Sequence, residues 1–289
     1  MFQKILVPTD FSKYSEKILE CVRELPGAKE VVLLNIVGPA DPLARVWDPG
    51  GRIEDAKVKL GEQKKILEDR GLNVKIRAEV IMEGEIARVI QKVADQEKIS
   101  LIAMSAKGKG VVEGIVLGNV AKNILRYGNT NLLLMRYKVL EDHGEPTLER
   151  FCSHPFSKVL CPTDLSDPAF ETIAFIKGIR GVGEILLQHV VFRGETWKEV
   201  EGHVVEATKN LNAISNEIEQ AGLKVKVQVS VGSPAEQISD FASKENVSLI
   251  VMNAYGKGWL KQLTVGSTTY DVAKMADRPV LVLRAGQMV

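Results

Sequence analysis

A glycine-marked segment near the end of the chain has residue types and spacing suited to binding an anion. Residues 253–272 read N-A-Y-G-K-G-W-L-K-Q-L-T-V-G-S-T-T-Y-D-V, and Gly266-Ser267 comes ten residues after Gly256. Glycine lets the backbone approach a phosphate closely, N–H groups at the start of a helix can donate to it, and the serine hydroxyl adds a donor. The structural alternative is an ordinary strand–loop–helix connection, with glycines that serve only the turn geometry.

The glycine-marked segment occurs twice in the chain. Residues 105–121 read S-A-K-G-K-G-V-V-E-G-I-V-L-G-N-V-A. Gly108 and Gly118 stand 148 residues before Gly256 and Gly266, respectively. A second copy at constant spacing favours a shared role over an accident of turn geometry.

The repeat extends well beyond the glycines. Residues 4–12, K-I-L-V-P-T-D-F-S, match residues 158–166, K-V-L-C-P-T-D-L-S. Residues 132–136, L-L-L-M-R, match residues 280–284, V-L-V-L-R. The chain is therefore interpreted as an internal duplication. The expected division is a domain at 1–138, a linker at 139–156 and a domain at 157–289.

Length and composition are typical of two ordinary soluble domains. The chain has 289 residues, of which 45% are hydrophobic and 26% are charged. A net charge of +1 gives no general attraction to nucleic acid, so any anion site has to be local. No apolar run approaches the roughly 20 residues of a membrane span. Three isolated cysteines and a start without a secretory signal predict a cytoplasmic protein.

Strands and helices are expected to alternate through both halves, and this pattern positions the two glycine segments. In the first half, apolar runs predict strands at 5–7, 31–37, 101–104 and 132–136. Alternation of apolar and polar residues predicts a further strand at 74–81, nearer the edge of the sheet. Helical periodicity and caps predict helices from Ser12 to Leu25, over 53–70, over 84–97 and from the glycine loop to about Tyr127. The second half repeats the order, with a helix over about 195–221. Such alternation predicts parallel, doubly wound sheets that bind ligands at the carboxyl ends of their strands.

These motifs resemble the universal stress protein family. Its nucleotide-binding members carry G-x2-G-x9-G-[ST] after the fourth strand and an aspartate just after the first strand. In the second half, Gly256, Gly266 and Ser267 match this pattern, while Asn253 replaces the first glycine. The resemblance covers both halves, outside the linker.

The first half follows the same family pattern with two departures. Gly108 and Gly118 match, Ser105 replaces the first glycine, and Asn119 replaces the final hydroxyl residue. The resemblance implies an α/β fold with two tandem, doubly wound, five-stranded parallel-sheet domains. Each would be Rossmann-like and adenine nucleotide alpha hydrolase-like, with strand order 3-2-1-4-5.

The resemblance also implies a nucleotide-binding set in each half. The family places its aspartate beside the adenine and ribose, and backbone contacts to adenine arise at the end of the second strand. In the first half the implied residues are Pro8, Thr9, Asp10, Ile36, Ser105, Gly108, Gly118, Asn119 and Val120. In the second half they are Pro162, Thr163, Asp164, Val190, Asn253, Gly256, Lys257, Gly266, Ser267 and Thr268.

Several of these residues also have a structural interpretation. Asp164 could instead cap the helix that begins near Ser166. The loop lysines could neutralise phosphate charge or simply be solvated; they are Lys107, Lys109, Lys257 and Lys261. His189 and the tryptophans Trp47, Trp197 and Trp259 are expected to be packing or lid residues. The linker residues His143, Cys152 and His154 lack the spacing of a zinc site.

Three functional hypotheses remain open. The first is a stress-response regulatory protein that senses ATP or AMP, with Mg²⁺ possible but not required. The second is a weak ATP hydrolase, although the sequence has no G-x4-G-K-[ST] loop, and no catalytic or metal-binding residue is assigned. The third is a structural stress protein whose nucleotide sites have decayed. Adenine nucleotide is the expected partner, and neither nucleic acid nor a membrane is expected.

The fifth strand of each half is expected to pair two domains. Family members commonly associate through this sheet edge, and residues 132–136 and 280–284 occupy it here. Since an exposed apolar edge strand promotes aggregation, we expect the two halves to pair within one chain. A homodimer of such chains is compatible with this arrangement. The second site, with Ser267 rather than Asn119 at the helix start, is expected to bind nucleotide more tightly.

Overall fold

The protein is divided into two compact units. The computed structural model describes residues 1–38, 49–81, 85–108, 117–140, 147–150, 154–192, 194, 196–256 and 264–284. The first unit comprises Met1–Met135 and Val139–Leu148, and the second comprises Arg136–Lys138 and Glu149–Val289.

The first unit alternates strands and helices as the sequence predicts. Its described elements are β1 (Lys4–Pro8), α1 (Lys13–Glu16), β2 (Glu30–Val37), α2 (Gly50–Glu68), β3 (Asn73–Val80), α3 (Ile86–Gln96), β4 (Leu101–Ser105), α4 (Asn119–Tyr127) and β5 (Leu132–Met135). Two short strands then pair with each other, β6 (Tyr137–Leu140) and β7 (Thr147–Arg150). The region expected to be an irregular linker therefore carries some regular structure.

The second unit repeats this order of elements. Its described elements are β8 (Lys158–Pro162), α5 (Asp167–Lys177), β9 (Glu184–Val191), α6 (Trp197–Gln220), β10 (Lys224–Val231), α7 (Pro234–Lys244), β11 (Leu249–Asn253), α8 (Ser267–Met275) and β12 (Val280–Leu283). The long helix expected over about 195–221 is α6.

Each unit is a doubly wound parallel sheet, which confirms the predicted fold class. In the first unit the strand order is β3-β2-β1-β4-β5, and in the second it is β10-β9-β8-β11-β12. Neighbouring strands within each unit run parallel. Numbered within its own unit, each sheet therefore has the order 3-2-1-4-5.

The first and fourth strands of each unit diverge towards their carboxyl ends. β1 pairs with β2 over five residue pairs but with β4 over only two, Ile5↔Leu101 and Leu6↔Ile102. In the second unit β8 and β11 likewise pair only at Leu249↔Val159 and Ile250↔Leu160. The chain changes direction across the sheet at this point, so the divergence opens a crevice where doubly wound proteins bind ligands.

Burial explains why the central strands are continuous apolar runs. Ile5, Leu6 and Val7 are fully buried, as are all residues of β4 and β11 to within 8% exposure. Helices cover both faces of such strands, and each buried aliphatic side chain contributes about 1.5–3 kcal/mol. Among the described strands, β3 pairs with β2 alone, and its residues are mostly half-buried or exposed. Its predicted position at the sheet edge is confirmed.

The predicted helix from Ser12 to Leu25 is only partly correct. Ser12 does cap it, because its hydroxyl accepts from the Ser15 N–H at 3.3 Å. The α-helix ends at Glu16, however, and the chain continues as two 3₁₀ turns, Lys17–Glu20 and Val22–Glu24. The Leu19 carbonyl accepts instead from Arg70 Nη1 at 2.8 Å. A side chain from a distant helix end has therefore taken a carbonyl that a continuous α-helix would use.

Candidate functional site

A cavity opens at the carboxyl ends of the strands in each unit. The cavity of the first unit measures about 500 Å³ and that of the second about 320 Å³. The first is lined by all the residues implied for the first half, namely Pro8, Thr9, Asp10, Ile36, Ser105, Gly108, Gly118, Asn119 and Val120. The second is lined by Pro162, Thr163, Asp164, Val190, Asn253, Gly256, Gly266, Ser267 and Thr268. Lys257 lies outside the described residues.

A tight turn after β8 fixes the carboxylate of Asp164. Its Oδ1 accepts from the Ser166 N–H at 3.1 Å and from the Ser166 hydroxyl. The Leu165 N–H donates to Thr163 Oγ1 at 3.0 Å. Leu165 itself has a φ of 60°, in the left-handed region that a branched side chain rarely adopts. Two side-chain hydrogen-bonding groups therefore hold the backbone in a strained conformation that sets the position of Asp164.

The turn after β1 has the same construction. Asp10 Oδ1 accepts from the Ser12 N–H at 3.0 Å and from the Ser12 hydroxyl at 2.6 Å. The Phe11 N–H donates to Thr9 Oγ1 at 3.1 Å, and Phe11 has a φ of 57°. A left-handed non-glycine residue costs about 1 kcal/mol, and such strain concentrates at functional sites. Its recurrence beside both cavities points to the aspartates as functional groups.

The hydrogen bonds of Asp164 also bear on its alternative interpretation as a cap of the following helix. One carboxylate oxygen, Oδ1, does serve the entry of α5 through Ser166. The other, Oδ2, faces the glycine loop, because it is the nearest heavy atom to a Cβ built on Gly256. The carboxylate therefore combines a local structural role with a position on the cavity wall.

Gly256 and Gly108 pass directly beside these carboxylates. A Cβ on Gly256 would lie 2.7 Å from Asp164 Oδ2, and one on Gly108 would lie 3.1 Å from Asp10 Oδ2. Neither glycine has a positive φ, so the requirement is for space and not for backbone freedom. Gly256 and Gly108 thus allow their loops to pack against the aspartates.

Gly266 and Gly118 have a different environment. Each is the N-cap of the following helix, with φ and ψ of −62° and 149° at Gly266 and −61° and 151° at Gly118. The nearest atoms to an added Cβ are the Ala254 and Ala106 carbonyl oxygens, both 3.5 Å away at ordinary contact distance. The fold alone therefore does not require glycine at either position. A ligand that approached the backbone closely would require it, because a side chain would occupy the same space.

The helix starts behind these glycines carry unpartnered donors. Within the described part of the chain, no acceptor is bonded to the backbone N–H groups of Ser267 and Thr268 at the start of α8. The same holds for Asn119 and Val120 at the start of α4. These N–H groups stand at the positive end of the helix dipole. The arrangement is suited to binding an anionic group in each cavity.

The two residues that depart from the family's first glycine turn their side chains into the fold. Asn253 Nδ2 donates to the Pro168 carbonyl at 3.1 Å, and its Oδ1 accepts from the Tyr255 N–H at 3.0 Å. In the first unit, Ser105 Oγ accepts from the Lys107 N–H at 3.2 Å. Both side chains therefore close the start of the loop through a local hydrogen bond to the residue two positions later.

The second strands are tied to the turns that hold the aspartates. His189 Nδ1 donates to the Thr163 carbonyl at 2.8 Å, which requires the ring proton on Nδ1. Asn35 Nδ2 makes the equivalent 2.8 Å bond to the Thr9 carbonyl. The expected packing role of His189 is consistent with this bond. The carboxyl ends of the first and second strands are locked together in each unit, which fixes one side of the crevice.

The loop of the second unit has an additional anchor. Tyr255, which lines the cavity, interacts with Arg284, a residue with 1% exposure just after β12. Burial lowers the pKa of the Arg284 guanidinium, and the interaction with Tyr255 opposes that shift. In the first unit, Lys107 stands at the corresponding loop position and lines the cavity. The residue at this loop position therefore differs in chemistry between the two units.

Sequence reasoning missed a group of apolar and polar residues on the inner walls of the cavities. In the first cavity these are Leu34, Ile86, Ile90 and Met104, and in the second they are Gln188, Pro234, Ile238 and Met252. A signal existed, because strand residues two positions apart share a face, so Leu34 and Ile36 had to point the same way. Equivalent reasoning would have placed Gln188 beside Val190.

Most of the other candidate residues lie outside the described part of the chain. Among the described residues, no three histidine, cysteine or acidic side chains are grouped to hold a metal ion. His143 and Cys152 lie outside the described residues, as do Trp47, Trp259, Lys109 and Lys261. No helix in the described part of the chain is long and apolar enough to span a membrane.

The fold and the cavities define a class of protein: a tandem pair of doubly wound α/β domains, each with a cavity beside a glycine-capped helix start at the switch point of its sheet. Comparison with known families narrows the class. The sequence profile of the universal stress protein family matches residues 1–136 and 155–284. The chain belongs to the universal stress protein family, as its motifs predict.

Individual relatives agree with this assignment. A universal stress protein of Methanocaldococcus jannaschii is 31% identical over 154 residues, which cover 45% of this chain and 95% of that protein. One from Methanothermobacter thermautotrophicus is 32% identical over 148 residues, covering 47% and 97%. These relatives each match about half of the chain, as expected for a duplication.

A solved structure has the whole tandem architecture. The crystal structure of a universal stress protein from Archaeoglobus fulgidus superposes with a TM-score of 0.71 at 23% identity. The match covers 98% of this chain and 97% of that one. At this identity the likeness shows the fold alone.

Proposed function

We propose that the protein binds adenine nucleotides, ATP or AMP, in both cavities and acts as a cytoplasmic regulatory protein of the stress response. In this role it would pass its nucleotide-bound state to a partner. The observation that carries the proposal is the combination found in each cavity. A helix start with unpartnered N–H groups faces the same space as a glycine that the fold does not itself require and an aspartate held in a strained turn.

The phosphates would lie against the start of α8 in the second unit. The N–H groups of Ser267 and Thr268, the Ser267 hydroxyl and the open backbone at Gly266 supply donors and room for close approach. These neutral donors can satisfy phosphate oxygens without a catalytic lysine. Mg²⁺ can accompany ATP, but AMP binding should need no metal.

The nucleoside would lie between the aspartate and the end of the second strand. Asp164 Oδ2 faces the cavity side of its turn and can accept from ribose hydroxyls or the adenine amino group. A hydrogen bond to a charged group contributes about 1.5–3 kcal/mol, or roughly ten- to hundredfold in affinity. Val190 supplies the strand end against which the base would pack. The equivalent residues in the first unit are Asp10 and Ile36.

Mass spectrometry of the purified protein tests the proposal most directly. Nucleotide released by denaturation should have the mass of ATP or AMP, and calorimetry on nucleotide-free protein should show binding of both. GTP should bind much more weakly than ATP. A protein that neither carries nor binds an adenine nucleotide would be a structural member of the family. Release of phosphate from ATP well above background would make it a hydrolase instead.

Variants of Asp164 separate the nucleoside contact from the role of this residue in the turn. Asp164→Ala should weaken ATP and AMP by similar factors, because both ligands share the nucleoside. Asp164→Asn is the matched control, because its side-chain oxygen can still accept from Ser166. We expect the asparagine variant to keep the melting temperature of the wild type and still lose affinity. If both variants bound normally, the contact would be wrong and Asp164 would serve only the turn.

The phosphate end and the ranking of the two sites can be tested with residue exchanges. Ser267→Ala should weaken ATP more than AMP if the hydroxyl contacts the outer phosphates, and a chelator should leave AMP binding largely intact. Ser267→Asn and Asn119→Ser exchange the residues at the two helix starts and should bring the two affinities closer together. Gly266→Val and Gly118→Val should remove the tight and the weak site, respectively. Equal losses from the two valine variants would contradict the ranking.

A further inference from the structure

The floors of the two cavities differ at one structurally equivalent position. Leu34 pairs with Pro8 at the end of the first strand, and Gln188 makes the same pairing with Pro162. Both residues line their cavities and are buried, with exposures of 1% and 0%. An aliphatic side chain in one unit is thus replaced by an amide in the other.

Hydrogen bonds hold the Gln188 amide in a single orientation. Its Nε2 donates to the Gln237 carbonyl at 3.0 Å and to Ser230 Oγ at 3.1 Å. A carbonyl can only accept, so the nitrogen must face α7 and the Oε1 atom must face away from that contact. Oε1 is buried and makes no hydrogen bond with the described residues. Gln188 therefore brings to the lining of the second cavity a fixed amide whose oxygen has no donor among the described residues.

Position 34 or 188 is close to where the proposed function places the base. Leu34 and Ile36 share one face of β2, and Gln188 and Val190 share one face of β9, because side chains alternate along a strand. All four line the cavities. A base packed against Ile36 or Val190 therefore has position 34 or 188 as its neighbour on the strand.

The chemistry of adenine distinguishes the two floors. Its exocyclic amino group is the only hydrogen-bond donor on the base of an adenine nucleotide. Beside Gln188, this group can donate a hydrogen bond to the buried amide oxygen, whereas an apolar substituent would leave that oxygen covered and without a hydrogen bond. Beside Leu34 the preference reverses, because an apolar edge buries well against an aliphatic wall. The cavity of about 500 Å³ in the first unit, against about 320 Å³ in the second, also leaves more room there.

We propose that Leu34 and Gln188 give the two cavities different base selectivity. The first cavity accepts adenine nucleotides whose amino group carries apolar substituents, and the second requires the unsubstituted amino group. This inference rests on the proposed binding of adenine nucleotides. On this inference, the two sites of one chain bind different ligands.

The test compares AMP with N6,N6-dimethyl-AMP, which has no N–H donor and presents an apolar edge. Calorimetry is carried out on the full chain, with Gly266→Val used to leave only the first site and Gly118→Val to leave only the second. At the first site we expect the two dissociation constants to agree within about threefold. At the second site we expect the dimethyl compound to bind at least about tenfold more weakly.

Gln188→Leu, made in the Gly118→Val background, should abolish the discrimination at the second site. Gln188→Met serves as an alternative of similar length, and circular dichroism melting checks that both variants fold. Similar ratios at the two sites of the wild-type pair, or a tenfold ratio that survives Gln188→Leu, would overturn the inference while leaving AMP binding established. Absence of AMP binding to the unmodified protein would instead refute the proposed function, and this inference with it.

Discussion

Replacing Gly256 by alanine should damage the second unit in a way that follows from one distance. The new Cβ would lie 2.7 Å from Asp164 Oδ2, which is closer than real Cβ atoms approach an oxygen. The carboxylate cannot turn away freely, because its Oδ1 is bonded to the N–H and hydroxyl of Ser166. Relief of the clash must weaken those bonds. Bonds to a charged group contribute about 1.5–3 kcal/mol each, so we expect a loss of about 1–2 kcal/mol in the free energy of unfolding.

Two other glycines provide matched controls for this variant. In Gly108→Ala the corresponding distance to Asp10 Oδ2 is 3.1 Å, which a shift of a few tenths of an ångström relieves, so the loss should be smaller. In Gly266→Ala the nearest atom is 3.5 Å away, and only the weaker N-cap preference of alanine remains, worth about 0.5 kcal/mol. The expected order of destabilisation is therefore Gly256→Ala, then Gly108→Ala, then Gly266→Ala.

Urea unfolding and calorimetry with AMP together provide the assay. Gly256→Ala should lower the unfolding midpoint and reduce AMP affinity at the second site at least about tenfold. Gly266→Ala should reduce AMP affinity with little change in the midpoint, because its Cβ would occupy ligand space. The reasoning would fail if Gly256→Ala were as stable as the wild type, or if Gly108→Ala were the more damaging change.

Three further predictions concern stability and assembly. The hydrogen bond from Lys75, aided by Lys4 and opposed by burial, lowers the pKa of Glu97 from 4.5 to about 2. The stability that Glu97 adds is therefore complete above pH 4.5, and urea titrations should show the advantage over Glu97→Gln disappearing between there and pH 2. Lys98 follows α3 with a φ of 52°, a backbone conformation that favours glycine. Lys98→Gly should therefore raise the free energy of unfolding by about 0.5–1 kcal/mol, measured by the same assay. Separately expressed halves, 1–138 and 157–289, should self-associate through their fifth strands, and halves that stay monomeric in analytical ultracentrifugation at high concentration would argue against pairing.

The central strands of the sheets could be predicted from the sequence because they are buried on both faces. A short apolar run such as 31–37 is typical of a parallel strand covered on both faces, and the observed strand is Glu30–Val37. The duplication supplied an internal check, since each strand had to be found again in the second half in the same order. The glycine loops could be located for the same reason, because their spacing repeats in both halves.

The finer features of the sites depend on contacts that no local pattern encodes. Phe11 and Leu165 adopt left-handed backbone although neither is glycine or asparagine, because neighbouring side chains hold the turn. The amide of Asn253 is satisfied by the Pro168 carbonyl, 85 residues earlier in the chain. Beyond the end of α1, the Leu19 carbonyl accepts from Arg70, which lies at the end of another helix. Such long-range partners become visible only when the fold is assembled.

The two carboxylate oxygens of Asp164 have different surroundings, and this affects how the two copies of a duplicated gene can diverge. Since one oxygen supports the turn that starts α5, loss of this residue would lower stability even in a copy that had ceased to bind anything. Selection for folding alone would therefore keep the aspartate in place. Gly266 has no such protection, because the fold tolerates a side chain there. When related sequences are screened for copies that can still bind a ligand, the glycine at the N-cap of the last helix is therefore a more informative marker than the aspartate.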